Sequence, residues 1–367
     1  MRHRIQRARA TKKGAAMASA LVNRRYYLRR RPQGLCAESD FALVREEVPE
    51  LKPAQALVRT LYLSLDPTMR IWMSDHRSYM PPSPVGAVMR GVGIGQVVKS
   101  RRDDLPVGSL VAGLTGWQDY CVADDDGLEL PLAVLPDPLP APLPAFLGVL
   151  GVTGGITAYI GMDIVKPQPG ETVVVSAAAG SVGSVAGQIA RAKGARVVGI
   201  AGGPQKCHHV TTALGFDACV DYKASDWRAQ LDAATPNGVD VGFENVGGEI
   251  MDHVLMRLNV GARIALCGMI SQYNHYNSAD DAPGWMPQYH IVRVMARRAS
   301  IQGFLVIDHA DRYGEAIEYL AGLIAEGKLT YHETILNGLE NAVKAHNMLY
   351  AGGNTGKLLL KVTEVAD

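Results

Sequence analysis

Residues 172–206, TVVVSAAAGSVGSVAGQIARAKGARVVGIAGGPQK, decide the fold. Val173, Val174 and Val175 form a β-branched run that predicts a buried parallel strand, and the run leads straight into Ala178-Ala179-Gly180-Ser181-Val182-Gly183. From Ser181 to Lys193 the apolar residues Val182, Val185, Ala186, Ile189 and Ala190 recur at helical spacing, and Arg196 to Ile200 then begins a second strand. The unit is β-α-β. Gly180 and Gly183 carry no side chain to block the backbone N–H groups of the helix N-terminus, where a pyrophosphate sits in dinucleotide-binding folds. The first glycine of the usual fingerprint is replaced by Ala178, so the placement between strand and helix carries the reading. An NAD site usually adds an acid about 20 positions on, to hold the ribose 2′-hydroxyl. Here the second strand runs into Ala201-Gly202-Gly203-Pro204-Gln205-Lys206, with no acid and one cation, which predicts NADP(H).

Outward from this unit, the order of elements predicts an α/β chain of two domains. Upstream, Gln55–Leu63, Arg90–Lys99, Leu110–Gly113 and Gln118–Val122 are short β-type runs punctuated by Pro and Gly. Gly91, Gly93 and Gly95 alternate with apolar residues there and predict a tight sheet corner. The run Leu135-Pro136-Asp137-Pro138-Leu139-Pro140-Ala141-Pro142-Leu143-Pro144 continues neither strand nor helix and marks a boundary, after which Leu147–Ile164 reads as a helix packed close to a ligand. Downstream, strands are expected at Ala218–Val220, Val239–Phe243, Arg263–Cys267 and Ser300–Phe304, completing six parallel strands with helices between most of them. A helix is expected over Ala310–Gly327. Tyr331–Leu336 and Lys357–Val362 then resume β character around the helix Leu339–Tyr350, so the last forty or so residues are expected to rejoin the first domain.

Charge is uneven along the chain. The net charge of the 367 residues is +1, yet residues 1–37 hold eleven Lys or Arg and no acid, which leaves about −10 for the remainder. The basic end reads as a transit peptide, a nucleic-acid arm or an extension upstream of Met17; the extension is favoured, with residues 1–20 disordered and no nucleic-acid partner expected. Pro138–Met162 and Thr172–Ala190 approach the length of a bilayer span, but the first contains four prolines and five glycines and the second the phosphate loop, so no membrane insertion is expected. Cys36, Cys121, Cys207, Cys219 and Cys267 are far apart with no C-x-x-C pair. They make neither a zinc lobe nor a disulfide framework and fit a reducing, cytoplasmic compartment.

Asn23-Arg24-Arg25, Leu63-Ser64-Leu65-Asp66-Pro67, Met69-Arg70, Gly116-Trp117, Asn245-Val246-Gly247-Gly248, Cys267-Gly268, Ile270-Ser271, Tyr273-Asn274 and Gly356-Lys357 join the phosphate loop in one pattern. The chain resembles, from about Asn23 to Val362, the zinc-independent NADPH-dependent double-bond reductases of the medium-chain dehydrogenase/reductase superfamily. The resemblance implies a GroES-like β-barrel domain (21–145 and 329–367) split around a Rossmann domain (146–328), with the active cleft between them and a homodimeric assembly. It implies that Gly180, Ser181, Val182 and Gly183 hold the pyrophosphate, and that Lys206 and Tyr222 hold the adenosine 2′-phosphate. Asn245, Cys267, Gly268, Ile270, Ser271, Phe304, Val306 and Asn354 are then expected around the rest of NADP(H), with no metal.

Reducing an activated C=C bond requires a hydride at the β-carbon, a donor for the enolate oxygen and a proton for the α-carbon. Tyr273 follows the end of the fifth Rossmann strand, where ligands bind in open α/β sheets, and is the expected catalytic donor, with the cofactor ribose hydroxyl sharing the role. Relatives usually read Asp-Pro-Tyr-Met-Arg where this chain has Asp66-Pro67-Thr68-Met69-Arg70, which predicts room for a bulkier substrate or one aromatic contact fewer. Thr68, Tyr79 and Trp117 are the expected substrate walls. The expected partner is a small enone or enal; quinone or carbonyl reduction and a non-catalytic NADPH- or nucleic-acid-binding role are the alternatives.

Overall fold

The computed structural model describes residues 21–75, 78–124, 130–275 and 288–365; the basic segment 1–20 lies outside them. Val22–Leu28 (β1) and Phe41–Glu47 (β2) pair antiparallel. The main sheet of this part is built on Ala56–Ser64 (β3), followed by the short helix Met69–Trp72 (α1) and then Val92–Ser100 (β4), Leu110–Leu114 (β5), Tyr120–Ala123 (β6) and Ala133–Val134 (β7). β4 crosses β3 closely. A Cβ on Gly93 would stand 2.8 Å from the Tyr62 carbonyl oxygen and one on Gly95 2.7 Å from that of Arg59, beside two register shifts in the β3–β4 ladder. The alternating glycines therefore mark a tight sheet crossing, as expected.

Beyond the proline-rich connection, the single helix expected over 147–164 is broken into pieces. A 3-10 turn at Leu143–Phe146 is followed by a wide π-type turn at Val152–Ile156, and only Thr157–Val165 (α2) is α-helical. The cause lies in the glycines: Cβ atoms on Gly154 and Gly155 would collide with the carbonyls of Gly148 and Val149, an approach no regular helix makes.

The central layer is a parallel sheet. Thr172–Ser176 (β8), Arg196–Ala201 (β9), Ala218–Asp221 (β10), Val239–Glu244 (β11), Leu258–Leu266 (β12) and Ser300–Gly303 (β13) stand in the order β10-β9-β8-β11-β12-β13. Every adjacent pair is parallel, and β8, buried along its whole length, holds the centre. Ser181–Ala192 (α3), Pro204–Thr212 (α4), Trp227–Ala234 (α5), Gly248–Met256 (α6), Gln288–Arg297 (α7) and Tyr313–Ala325 (α8) supply the crossovers and flanks. The strand order reverses between β8 and β11, the switch point at which doubly wound sheets open a ligand crevice.

After α8 the chain returns to the first sheet. Glu333–Asn337 (β14) and Lys357–Lys361 (β15) extend it as β14-β15-β3-β4-β5-β7, with Ala342–Ala351 (α9) between them in sequence. The Gly356 N–H donates to the Ala179 carbonyl at 2.8 Å, so this returning segment touches the phosphate loop. Among the described residues, no helix is long and apolar enough to cross a membrane.

Candidate active site

A cleft of about 1200 Å³ runs between the two sheets along the carboxyl ends of β8, β9, β11 and β12. It exceeds the upper end of the ~300–1,000 Å³ usual for a single small ligand, so a dinucleotide and a second molecule fit together. Its floor is the turn after β8. Ala177 takes a left-handed φ of +50°, and its carbonyl is what a Cβ on Gly183 would strike, while one on Gly180 would approach it to 3.1 Å. The two glycines thus let the Ala177 turn fold tightly onto the start of α3, whose first residues line the cleft with N–H groups that have no partner within the helix.

At the β9 end Ala201, Gly202, Lys206 and Tyr222 line the wall. The Tyr222 ring lies over Gly202, where a Cβ would come within 2.8 Å of it. Asp221 does not offer a free carboxylate to a ribose: its Oδ1 accepts from the N–H groups of Gly203 and Lys223 at 2.7 and 3.0 Å. Burial, and then the like charge of Lys223, lower the Lys206 ammonium from its ordinary value. An anion bound there relieves both effects. A glycine cradle, a tied-back acid and a lysine on the cleft wall fit an NADP dinucleotide better than NAD.

The β11 and β12 ends are laced to each other. The Cys267 and Gly268 N–H groups donate to the Glu244 carbonyl, and those of Ile270 and Ser271 to the carbonyls of Asn245 and Val246. The buried Glu244 carboxylate accepts from Ser176 Oγ at 2.9 Å and from the Val246 and Gly247 N–H groups at 2.6 and 2.7 Å. Burial nonetheless raises its pKa, those hydrogen bonds opposing the shift. Tyr273 closes the turn: the Met269 N–H donates to its hydroxyl oxygen at 2.9 Å, and a Cβ on Gly268 would stand 2.9 Å from that oxygen.

The opposite wall comes from the β domain. Lys357 Nζ donates to Asp66 Oδ1 at 2.5 Å and to Thr153 Oγ1 at 2.9 Å, and Ser64 donates to the other Asp66 oxygen. Both charged side chains are nearly sealed from solvent, 3% and 6% exposed, so removing either partner would strand a charge at a cost of about 3–5 kcal/mol. Thr68 hydrogen-bonds the Tyr79 hydroxyl, which also accepts from Trp72 Nε1 at 3.0 Å, and burial holds the Tyr79 phenol above its usual pKa. Tyr79 thus leans across to Thr68.

The cleft brings together Gly180, Ser181, Val182, Gly183, Lys206, Tyr222, Asn245, Cys267, Gly268, Ile270, Ser271, Tyr273, Phe304, Val306 and Asn354, with Thr68 and Tyr79 across from them. Trp117 is a correction. It is fully buried in the β-domain core, stacked on Phe41 at 5.4 Å and edge-on to Tyr26, and it lines no part of the cleft. Sequence reasoning missed the roles of Glu244, Ser176, Thr153 and the Asp66–Lys357 pair. A lone charge at the border of an apolar strand, as in Leu63-Ser64-Leu65-Asp66 and Lys357-Leu358-Leu359-Leu360, was the available signal, because a buried charge demands a partner.

Comparison with known proteins agrees with this geometry. Residues 24–130 match the family model described as the N-terminal domain of oxidoreductase, and residues 181–322 the one described as zinc-binding dehydrogenase. Among the described residues, no group of three or more His, Cys, Asp or Glu side chains clusters to hold a metal. The chain is 43% identical to the NADPH-dependent curcumin reductase of Escherichia coli (strain K12), covering 93% of this chain and 97% of that protein. It is 36% identical to prostaglandin reductase 1 of Rattus norvegicus, covering 91% and 97%. The crystal structure of CurA from Vibrio vulnificus in complex with NADPH superimposes with a TM-score of 0.86 at 41% identity, covering 93% of this chain and 99% of that one. The fold and site define an NADP-dependent oxidoreductase. The chain belongs to the double-bond reductases of the medium-chain dehydrogenase/reductase superfamily.

Proposed function

We propose that this protein reduces the C=C bond of α,β-unsaturated ketones and aldehydes with NADPH. The observation that carries the reading is one cleft holding the dinucleotide cradle and, beside it, a tyrosine hydroxyl at the end of β12. When bound, the reduced nicotinamide supplies a hydride to the substrate β-carbon. Gly180 to Gly183 and the N-terminus of α3 hold the pyrophosphate, and Lys206 with Tyr222 holds the 2′-phosphate. Asn245, the turn from Cys267 to Ser271, Phe304, Val306 and Asn354 line the remainder. Tyr273 donates its hydroxyl hydrogen to the developing enolate oxygen. The Met269 N–H, by donating to the same oxygen, polarises the O–H and makes it a stronger donor. Thr68 and Tyr79 shape the wall opposite, and the buried Asp66–Lys357–Thr153 contact ties that wall to the nucleotide-binding half.

The assembly is proposed to be a homodimer. The parallel sheet ends on β13, and α7 beside β12 exposes Val292 and Met295. The five unpaired thiols suit a cytoplasmic protein.

The test is NADPH oxidation with a 2-alkenone and with its saturated analogue, the product identified by mass. Enone-dependent turnover to the saturated ketone is expected, and turnover of the saturated ketone alone would replace this reading with carbonyl reduction. Tyr273→Phe is expected to lower kcat by about 100-fold, the size of one lost oxyanion donor, with KM for NADPH unchanged. An unaltered kcat would remove Tyr273 from the mechanism.

A further inference from the structure

Across the cleft from Tyr273, three polar side chains of the β domain touch in series. Trp72 Nε1 donates to the Tyr79 hydroxyl oxygen at 3.0 Å, and the Tyr79 hydroxyl is hydrogen-bonded in turn to Thr68 Oγ1. All three residues line the cleft; Trp72 is buried, whereas Thr68 and Tyr79 are half-buried. Thr68 directly precedes α1, yet its side chain makes no bond to the backbone of that helix.

This group holds one hydrogen more than its own bonds consume. An indole N–H only donates, and each hydroxyl brings one hydrogen to donate and lone pairs that accept. The Trp72 bond occupies a lone pair of the Tyr79 oxygen, and the bond between the two hydroxyls uses one of their two hydrogens, whichever side supplies it. One O–H is left over, with no acceptor among the described residues. We propose that this spare hydrogen of the Thr68–Tyr79 pair is a second recognition point, which binds an uncharged acceptor oxygen on the body of the enone and selects substrates that carry one. What is bound rests on the enone-reducing reading above; the spare hydrogen does not.

The surroundings define the chemistry of that ligand. α1 packs against the 3-10 turn Ile270–His275 that carries Tyr273, so one molecule can reach both hydroxyl donors. Ile71 and Met80, next in sequence to Trp72 and Tyr79, line the cleft too and suit an apolar body. Among the described residues lining the cleft, the cations are Lys206, at the adenosine end, and Lys357, already paired with Asp66. A carboxylate on the substrate would find no free cation beside Thr68 and would meet the acid two residues before it, whereas a ketone or ether oxygen needs only the donor. The class is therefore an enone with an apolar body and a second, neutral oxygen.

The experiment uses the full chain with NADPH and four enones of one skeleton: 4-phenylbut-3-en-2-one, its meta- and para-acetyl derivatives, and its para-carboxylate. The quantity read is kcat/KM for each derivative relative to the unsubstituted enone. Comparing that ratio between variants cancels both the fraction of folded enzyme and the substituent's effect on the enone itself. Thr68→Val frees the Tyr79 hydrogen and Tyr79→Phe frees that of Thr68, so only the double variant lacks a donor. The double variant should lower the ratio for an acetyl isomer by about 3- to 10-fold, the worth of one neutral hydrogen bond, and each single variant by less. Thr68→Ser should keep the wild-type ratio. A double variant with the wild-type ratio for both acetyl isomers overturns the recognition point, and a wild-type preference for the carboxylate over both overturns its uncharged ligand. If no enone is reduced, the reading of the reaction fails instead. Dissociation constants of the corresponding saturated ketones, followed by tryptophan fluorescence, then carry the same comparison with the same two overturning results.

Discussion

Two glycine-rich stretches in this chain have similar composition and opposite uses. Gly180 caps α3 and Gly183 stands in its first turn, both on the cleft wall, and their missing side chains let the Ala177 carbonyl come close, 3.1 Å from a Cβ on Gly180 and 2.4 Å from one on Gly183. Gly91, Gly93 and Gly95 sit on or beside β4, and there the space is already filled by the protein: Trp117 against Gly91, Thr115 and the Tyr62 carbonyl against Gly93, Val58 and the Arg59 carbonyl against Gly95. One set shapes a tight turn that lines the ligand cleft, and the other a crossing buried within the β domain. Spacing does not separate them, but context does, since a turn ahead of a helix exposes backbone N–H groups whereas a paired strand consumes them.

Substitution sharpens that contrast. Gly183→Val should have the largest effect, a loss of about 100-fold in kcat/KM for NADPH, because the new side chain meets the Ala177 carbonyl and displaces the loop that cradles the phosphates. Steady-state kinetics with circular dichroism as a folding control checks this, and retained NADPH affinity would move the cradle elsewhere. Lys206→Ala comes next: losing one charge-assisted contact of about 1.5–3 kcal/mol should raise KM for NADPH about tenfold or more and leave KM for NADH unmoved. Equal effects on both cofactors would detach Lys206 from the 2′-phosphate. Gly93→Ala should act on the other stretch, lowering stability by about 1–3 kcal/mol in a urea titration through overpacking against the Tyr62 carbonyl, with KM for NADPH unchanged in the folded protein. A shift in KM instead of stability would break the comparison.

The nucleotide half of the cleft was legible from sequence because it is made locally. A strand, a turn and a helix N-terminus within one short stretch fix where the backbone groups point, and the end of the next strand lies a helix away. The opposite wall was not legible in the same way. Asp66 and Lys357 are 291 residues apart, and Thr153 joins them only because β15 lies beside β3 and the glycines of 148–155 bend the chain toward both. The Trp117 misplacement has the same origin. An aromatic residue after a strand-end glycine is compatible with a cleft wall or a core, and the choice depends on Phe41, Tyr26 and His346 arriving from elsewhere.

That core gives the smallest prediction and ties it to the second glycine stretch. Gly91 admits the Trp117 ring, a Cβ there coming within 2.8 Å of it, and Trp117 in turn packs against the fully buried His346. Burial, and then the positive charge of Arg70, depress the His346 pKa to about 3; Cys36 and Tyr350 are the other titratable groups against it, and both stay neutral in acid. In the unfolded chain the same imidazole titrates near ~6.5. Between these values the unfolded state binds a proton that the folded state refuses, so stability falls as pH drops through that window, by about 1.4 kcal/mol per unit at most. Above the unfolded value the contribution is constant. His346→Leu should therefore flatten the pH dependence of Tm between neutral and mildly acid solution while leaving the NADPH affinity of the folded enzyme at neutral pH unaltered. An unchanged acid slope in that variant would place the proton-sensitive part of the β domain elsewhere, and a changed NADPH affinity would show that the core built on the second glycine stretch reaches the cleft after all.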